Sequence, residues 1–354
     1  MKNDKTLGWF CSYTPEELFR AAGYETIRLN SDEKNVSLGE AYLPTNFCPY
    51  LKNNLGSVLA NKKKAPSGYI IANCCDGLRR LMDVLKYSLN DTACYLIDVP
   101  HLKTDAAIEY FKSNLTNIKK ELEKENSIQI SDAKIKEQIA FFDKIRSELN
   151  DIDKLRKSEE PIVSGSRFFS LINDITSSPK SDALKKITEF KNSLSENSGL
   201  NPTSRDMALP RKRIYISGNI LDRVDIIDII EKSGSVVVGD DLCTGSRYFK
   251  DQTQNIPDPI DALAERYIKK SPCARMYSPV ERFEKIKSDI KFCGAEKVIF
   301  ITVKFCDCSL YEFPALKKEL AVLKVPVLLL ESDCTASSLG QIRTRVQAFL
   351  ESSQ

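Results

Sequence analysis

Two stretches of the chain alternate strand-like and helix-like segments, and a long stretch without strand signal separates them. This arrangement constrains the fold more than any other feature. In the first stretch Leu7-Gly8-Trp9-Phe10 is a short apolar run. Thr14, as N-cap, and Pro15, at the first helical position, then open a helix. Tyr24 to Leu29 alternates like a strand, and Tyr69 to Ala72 reads as a buried one. Asp76 to Leu89 has helical periodicity, and Ala93 to Ile97 is a further strand. A βαβα rhythm predicts a parallel sheet covered by helices. Beyond it, Thr104 to Lys124 and Ser131 to Lys157 read as long charged amphipathic helices, with shorter ones at Arg167 to Thr176 and Ser181 to Ser195. Strand signals resume at Arg213 to Ser217, Val236 to Val238, Val298 to Val303 and Val325 to Leu330, and Gln341 to Leu350 closes as a helix. The expected fold is α/β, with two Rossmann- or flavodoxin-like parallel-sheet domains and a helical insertion. The expected boundaries are 1–103, 104–200 and 201–354, with Asn201-Pro202-Thr203-Ser204 as a linker.

Charge is nearly balanced, 52 basic residues against 49 acidic, which argues against a dedicated nucleic-acid binder. No apolar run approaches the ~20 residues of a membrane span. Met1 to Thr6 leads into no apolar core with a cleavage site, so a cytoplasmic protein without a signal peptide is expected. The chain has 11 cysteines and one histidine. An odd number at long, irregular spacings suits neither a disulfide framework nor a zinc site. What remains is a set of buried thiols or a soft metal centre.

Ligands of open α/β sheets bind at the carboxyl ends of the strands. Cys75 follows the strand ending at Ala72 and begins a helix; Cys306 follows the strand ending at Val303. Cys243 follows Val236 to Val238, and Cys48 precedes the helix expected from Pro49. A helix N-terminus stabilises a thiolate through its dipole and free N–H groups. Cys94, mid-strand, and Cys293, on an apolar helix face, read as packing residues. His101 follows a strand end without a named partner and reads as structural or exposed.

The segment Gly8-Trp9-Phe10-Cys11-Ser12-Tyr13-Thr14-Pro15-Glu16-Glu17-Leu18-Phe19-Arg20-Ala21-Ala22-Gly23 resembles the N-terminal signature of the 2-hydroxyacyl-CoA dehydratase/benzoyl-CoA reductase family, dehydratase D-component subunits in particular. Asn46 to Lys52, Asn73 to Arg80, Asp241 to Tyr248, Lys304 to Asp307 and Leu329 to Asp333 follow in that family's order, leading to Gly340 to Phe349. The short motifs cover both ends and leave the helical middle unmatched. The resemblance implies two α/β domains gripping a [4Fe–4S] cluster through Cys48, Cys75 and Cys306. Cys75 is favoured over Cys74 because it directly precedes Asp76, and Cys306 over Cys308 because it stands in the Lys-Phe-Cys-Asp run. It also implies a Ser12 hydroxyl near an iron without a protein ligand; a loop serine bonding local backbone is the alternative. Glu17 would offer a carboxylate to the cleft, or merely complement a helix N-terminus. Lys62-Lys63-Lys64 and Arg211-Lys212-Arg213 would meet a CoA phosphate, although solvated loop charge is the plainer reading.

The resemblance implies a subunit of an oxygen-sensitive (R)-2-hydroxyacyl-CoA dehydratase, a lyase. The thioester does not acidify the 3-hydrogen, so water is eliminated through a ketyl radical. The electron would come from an ATP-hydrolysing iron–sulfur activator protein. A related sister subunit would complete a heterodimer acting on an acyl-CoA substrate. One alternative is an ATP-dependent reductase of the benzoyl-CoA type, or a homodimer with a double-cubane cluster needing Cys243, Cys273 and Cys74 or Cys308 as well. Another is a non-catalytic electron-relay subunit whose helical insertion is a partner surface.

Overall fold

The computed structural model describes residues 5–30, 33–61, 65–90, 92–196, 211–221 and 223–352. Lys62-Lys63-Lys64 and the linker-like Asn201-Pro202-Thr203-Ser204 lie outside them.

Apolar runs form two four-stranded sheets. The first contains β1 (Thr6–Trp9), β2 (Glu25–Arg28), β3 (Gly68–Ala72) and β4 (Ala93–Ile97), ordered β2-β1-β3-β4. The second contains β5 (Lys212–Gly218), β6 (Ser235–Asp240), β7 (Lys297–Val303) and β8 (Val327–Ser332), ordered β6-β5-β7-β8. All neighbours are parallel, with Tyr69 opposite Cys94 and Val298 opposite Val327. Each half thus uses the same strand order, and the expected α/β class with two parallel sheets is what the chain adopts. Strands β3 and β7 are buried along their whole length, as parallel strands covered on both faces must be.

In the first half the helices are α1 (Glu16–Ala21), α2 (Val36–Glu40), α3 (Pro49–Ala60) and α4 (Asp76–Ser88). Thr14 does not cap α1. Pro15 stands at the cap position and the buried Thr14 hydroxyl has no partner. The reason is local: Thr14 N–H closes a turn onto the Cys11 carbonyl, 3.0 Å, and the chain enters the helix through backbone bonds.

The middle segment is helical: α5 (Asp105–Asn126), α6 (Asp132–Lys157), α7 (Gly165–Ser177) and α8 (Ala183–Glu196). Thr104 and Ser131 cap α5 and α6, their hydroxyls accepting from Ala107 and Lys134 N–H. In the second half come α9 (Asp225–Lys232), α10 (Ser246–Phe249), α11 (Pro259–Lys269), α12 (Pro279–Phe292), α13 (Asp307–Val322) and α14 (Leu339–Glu351). Helix α5 packs on α11, and α6 packs on α1, β6 and α10, so the middle helices touch both halves. One core runs from Trp9, Tyr69 and Phe111 through to Leu263, Tyr267 and Val303. Among the described residues no helix is long and apolar enough to cross a membrane.

Candidate metal centre between the two sheets

Three of the cysteines singled out by position occupy equivalent places. Cys48, Cys75 and Cys306 are the N-cap residues of α3, α4 and α13. Each is partly exposed and packs against the core that joins the halves. Cys75 Sγ accepts from Leu78 N–H at 3.4 Å. Cys306 follows Phe305, which holds the left-handed conformation (φ 63°) that turns the chain from β7 into α13. The three thiols act on one another: burial pushes Cys48 up to about 12, and Cys75 and Cys306 push it the same way. Burial also raises Cys306. Cys75 falls to about 7, because Cys74 donates to it and Leu78 N–H and the Arg275 charge assist. Arg275, half-buried between α11 and α12, faces Cys75, Cys308 and Cys306.

A second group lies beneath. Cys11 Sγ stands 3.1 Å from Cys74 Sγ. The hydrogen bond between them lowers Cys11 and raises Cys74. Burial lifts Cys273 to about 12, with Cys243 and Cys11 adding to it and Arg247 opposing it. The buried Arg247 guanidinium reaches Cys243 Sγ at 3.4 Å and donates to the carbonyls of Gly218 (2.6 Å) and Pro272 (3.2 Å), while its Nε has no partner. Gly218 must be glycine: at φ 139° an added Cβ would sit 1.8 Å from the Ile301 carbonyl oxygen. Lys270 Nζ donates to the Ser12 carbonyl at 2.8 Å and lies 4.8 Å from the centroid of the Tyr13 ring. Burial drops its amine to about 7.

Among the described residues no three His, Cys, Asp or Glu side chains converge tightly enough for a single metal ion. The donor set still fits an iron–sulfur cluster. It consists of soft thiols in mutual electrostatic contact, one at each of three helix N-termini, and a cluster spreads its ligands farther apart than one ion does.

The other expected site residues fall into place as follows. Ser12 is buried beside Cys11, and its carbonyl is the acceptor for Lys270. Glu17 is fully buried with both oxygens engaged, one by Arg146 and one by the Tyr267 hydroxyl at 2.8 Å. Burial alone would raise its pKa, but Arg146 and Arg266 hold it low. Its neighbour Glu16 accepts from Trp9 Nε1 (2.8 Å), Thr26 (2.6 Å) and Tyr248 (2.9 Å). These two carboxylates tie α1 to α6, α10 and α11. Cys308 is the second residue of α13 and is partly exposed on the Arg275 side. Cys94 lies in β4, and buried Cys293 caps the C-terminus of α12. His101 is exposed, and its carbonyl accepts from Tyr277 N–H. Arg211 and Lys212 are exposed, whereas Arg213 bonds the carbonyls of Ser158 and Cys293. Sequence reading missed Arg146, Lys270 and Arg275, which reach the site from other elements. The one hint was an arginine beside the apolar stripe of α6, at Ile145-Arg146.

A family model described as 2-hydroxyglutaryl-CoA dehydratase, D-component, matches residues 11–352, including the helical middle that the short motifs leave out. The (R)-phenyllactyl-CoA dehydratase beta subunit of Clostridium sporogenes is 28% identical over 98% of this chain and 91% of its own length. The (R)-2-hydroxyglutaryl-CoA dehydratase subunit beta of Acidaminococcus fermentans is 24% identical, with 98% and 92% covered. A benzoyl-CoA reductase subunit of Thauera aromatica is 22% identical, with 98% and 90% covered.

Proposed function

Because the chain belongs to the 2-hydroxyglutaryl-CoA dehydratase D-component family, we propose that it is the iron–sulfur subunit of an ATP-activator-dependent (R)-2-hydroxyacyl-CoA dehydratase. The observation that carries this reading is the trio Cys48, Cys75 and Cys306, drawn from both sheets onto three helix N-termini and in electrostatic contact. These residues would hold a [4Fe–4S] cluster, which supplies single electrons at low potential and one iron free of protein ligands. The rest is the chain's own work. Helix N-termini favour the thiolates, and Arg275 places a positive charge against them. Lys270 and Tyr13 pack against each other, buried beside Cys11. Ser12 stands on the same loop. Glu17 positions that loop through Arg146 and Tyr267, and a reacting group is not asked of it. Two of the relatives are beta subunits by name, so a sister chain is part of the reading, as are the activator and an acyl-CoA.

The inner thiols favour a second reading. Cys74 touches Cys75 of the first trio, and Cys273 lies near Cys243 and Cys11 with Arg247 and Lys270 beside them, as a double-cubane reductase would need. Iron per chain in anaerobic protein separates the two: about four for one cubane, about eight for two. Colourless protein after full anaerobic reconstitution would overturn both. A dehydratase returns its electron, so one activation by ATP supports many turnovers; a reductase hydrolyses ATP with every product. ATP hydrolysed per product, measured with activator and sister chain present, decides the class. Turnover by the isolated chain without ATP would remove the proposal.

A further inference from the structure

One close sulfur–sulfur contact lies neither within the outer trio nor at the cations. It joins Cys11, just past β1, to Cys74, just past β3, on adjacent parallel strands. Their sulfurs are 3.1 Å apart, so about 1 Å of closure reaches the ~2.05 Å of a disulfide. Cys11 is partly exposed and Cys74 is buried behind it, so a small reagent meets Cys11 first. Cys74 also touches Cys75, so whatever happens to Cys74 bears on its neighbour.

We propose that Cys11 and Cys74 are a modification site: in the cluster-free chain they oxidise to a disulfide ahead of Cys48, Cys75 and Cys306, with small-molecule disulfides as the co-reactant. The Cys11 thiolate attacks one sulfur of the small disulfide. This forms a mixed disulfide and expels one small thiolate. Cys74 then attacks the Cys11 sulfur, expels the second small thiolate and gives up its proton. Two protein thiols are oxidised, one small disulfide is reduced to two thiols, and nothing else is required. With Cys74 engaged toward Cys11, Cys75 loses the thiol that is hydrogen-bonded to it and stays free. The pair therefore takes up oxidant while the outer thiols wait for iron.

The pairing does not depend on the proposed cofactor, so the first arm of the test uses apoprotein alone. Anaerobic apoprotein is equilibrated with oxidised glutathione at a set ratio to reduced glutathione. Free thiols should fall by two per chain, and non-reducing peptide mapping should join the Cys11 peptide to the Cys74–Cys75 peptide. Cys75→Ser should keep the link and Cys74→Ser abolish it. A link that survives Cys74→Ser, pairing that takes in Cys75 or Cys306, or no thiol loss overturns the proposal. The second arm rests on the cluster reading. After identical oxidation, reduction and reconstitution, wild type should regain its full iron and Cys11→Ser less than half, because oxidant then reaches the outer thiols. Equal recovery would overturn the protective role while leaving the pairing measured in the first arm.

Discussion

Two polar regions are buried between the same two halves, and they are built on opposite terms. Around α1 both carboxylates have opposite charges and donors: Glu17 meets Arg146 and Tyr267, while Glu16 meets Trp9, Thr26, Tyr248 and, at 3.4 Å, Lys180. Around the thiols the cations lack such partners. Lys270 and Arg247 bond carbonyls and sulfur, and no carboxylate lies within ion-pair distance of either among the described residues. A buried charge paired in good geometry is a finished joint. Buried cations set against thiols instead favour the thiolate form of their neighbours. The first region holds the halves together, and the second is what they hold.

The largest effect that would break this contrast concerns the outer thiols. Cys48→Ala, Cys75→Ala and Cys306→Ala should each remove most of the iron from anaerobically reconstituted protein, with little change in apoprotein stability. Cys94→Ala and Cys293→Ala should retain it. Full iron in Cys75→Ala together with loss in Cys74→Ala would move the ligand by one residue.

The α1 region should behave inversely. Arg146→Leu removes the ion-pair partner of the buried Glu17 carboxylate, leaving it the Tyr267 hydroxyl and the field of Arg266, a change that costs roughly 3–5 kcal/mol. Urea unfolding should show that loss, while iron per folded chain stays at the wild-type level. Iron falling in the still-folded variant would mean that Glu17 serves the thiols directly.

The smallest effect is a slope. Burial holds the Lys270 amine near about 7, below its unfolded value. Between these values the unfolded chain binds more protons, so apoprotein stability rises with pH across that window. The slope is at most about 1.4 kcal/mol per pH unit. Lys270→Met should flatten it and gain most at the acid end. Parallel curves for the two proteins would place Lys270 in a better-compensated setting than its contacts indicate.

Much of this was legible in the sequence because strands such as Ile70 to Ala72 and Val298 to Ile301 are continuous apolar runs, as covered parallel strands are. Helix starts near Thr104 and Ser131 were legible from amphipathic periodicity, and both residues prove to be caps, whereas Thr14 misled because a local turn took precedence over capping. The cysteines could be placed at strand ends and helix starts from neighbouring residues alone. Their partners could not. Arg146, Lys270 and Arg275 approach from distant parts of the chain, and no short-range pattern connects Lys270 to the Ser12 carbonyl. The common strand order of the two sheets is likewise a property of hydrogen bonding between strands, which periodicity does not specify.

Cys48 and Cys75 belong to the first sheet's half, and Cys306 follows the third strand of the second. That division sets an order of manufacture. A nascent chain displays two of the three thiols while β7 is still unmade, and domains fold from the N-terminus as synthesis proceeds. During that interval the exposed pair offers an incomplete site, which a stray metal could occupy but a three-legged cluster could not. Under the proposed reading, loading has to wait until β7 and Cys306 are made, and the cluster would act as a cross-link between early and late parts of the polypeptide.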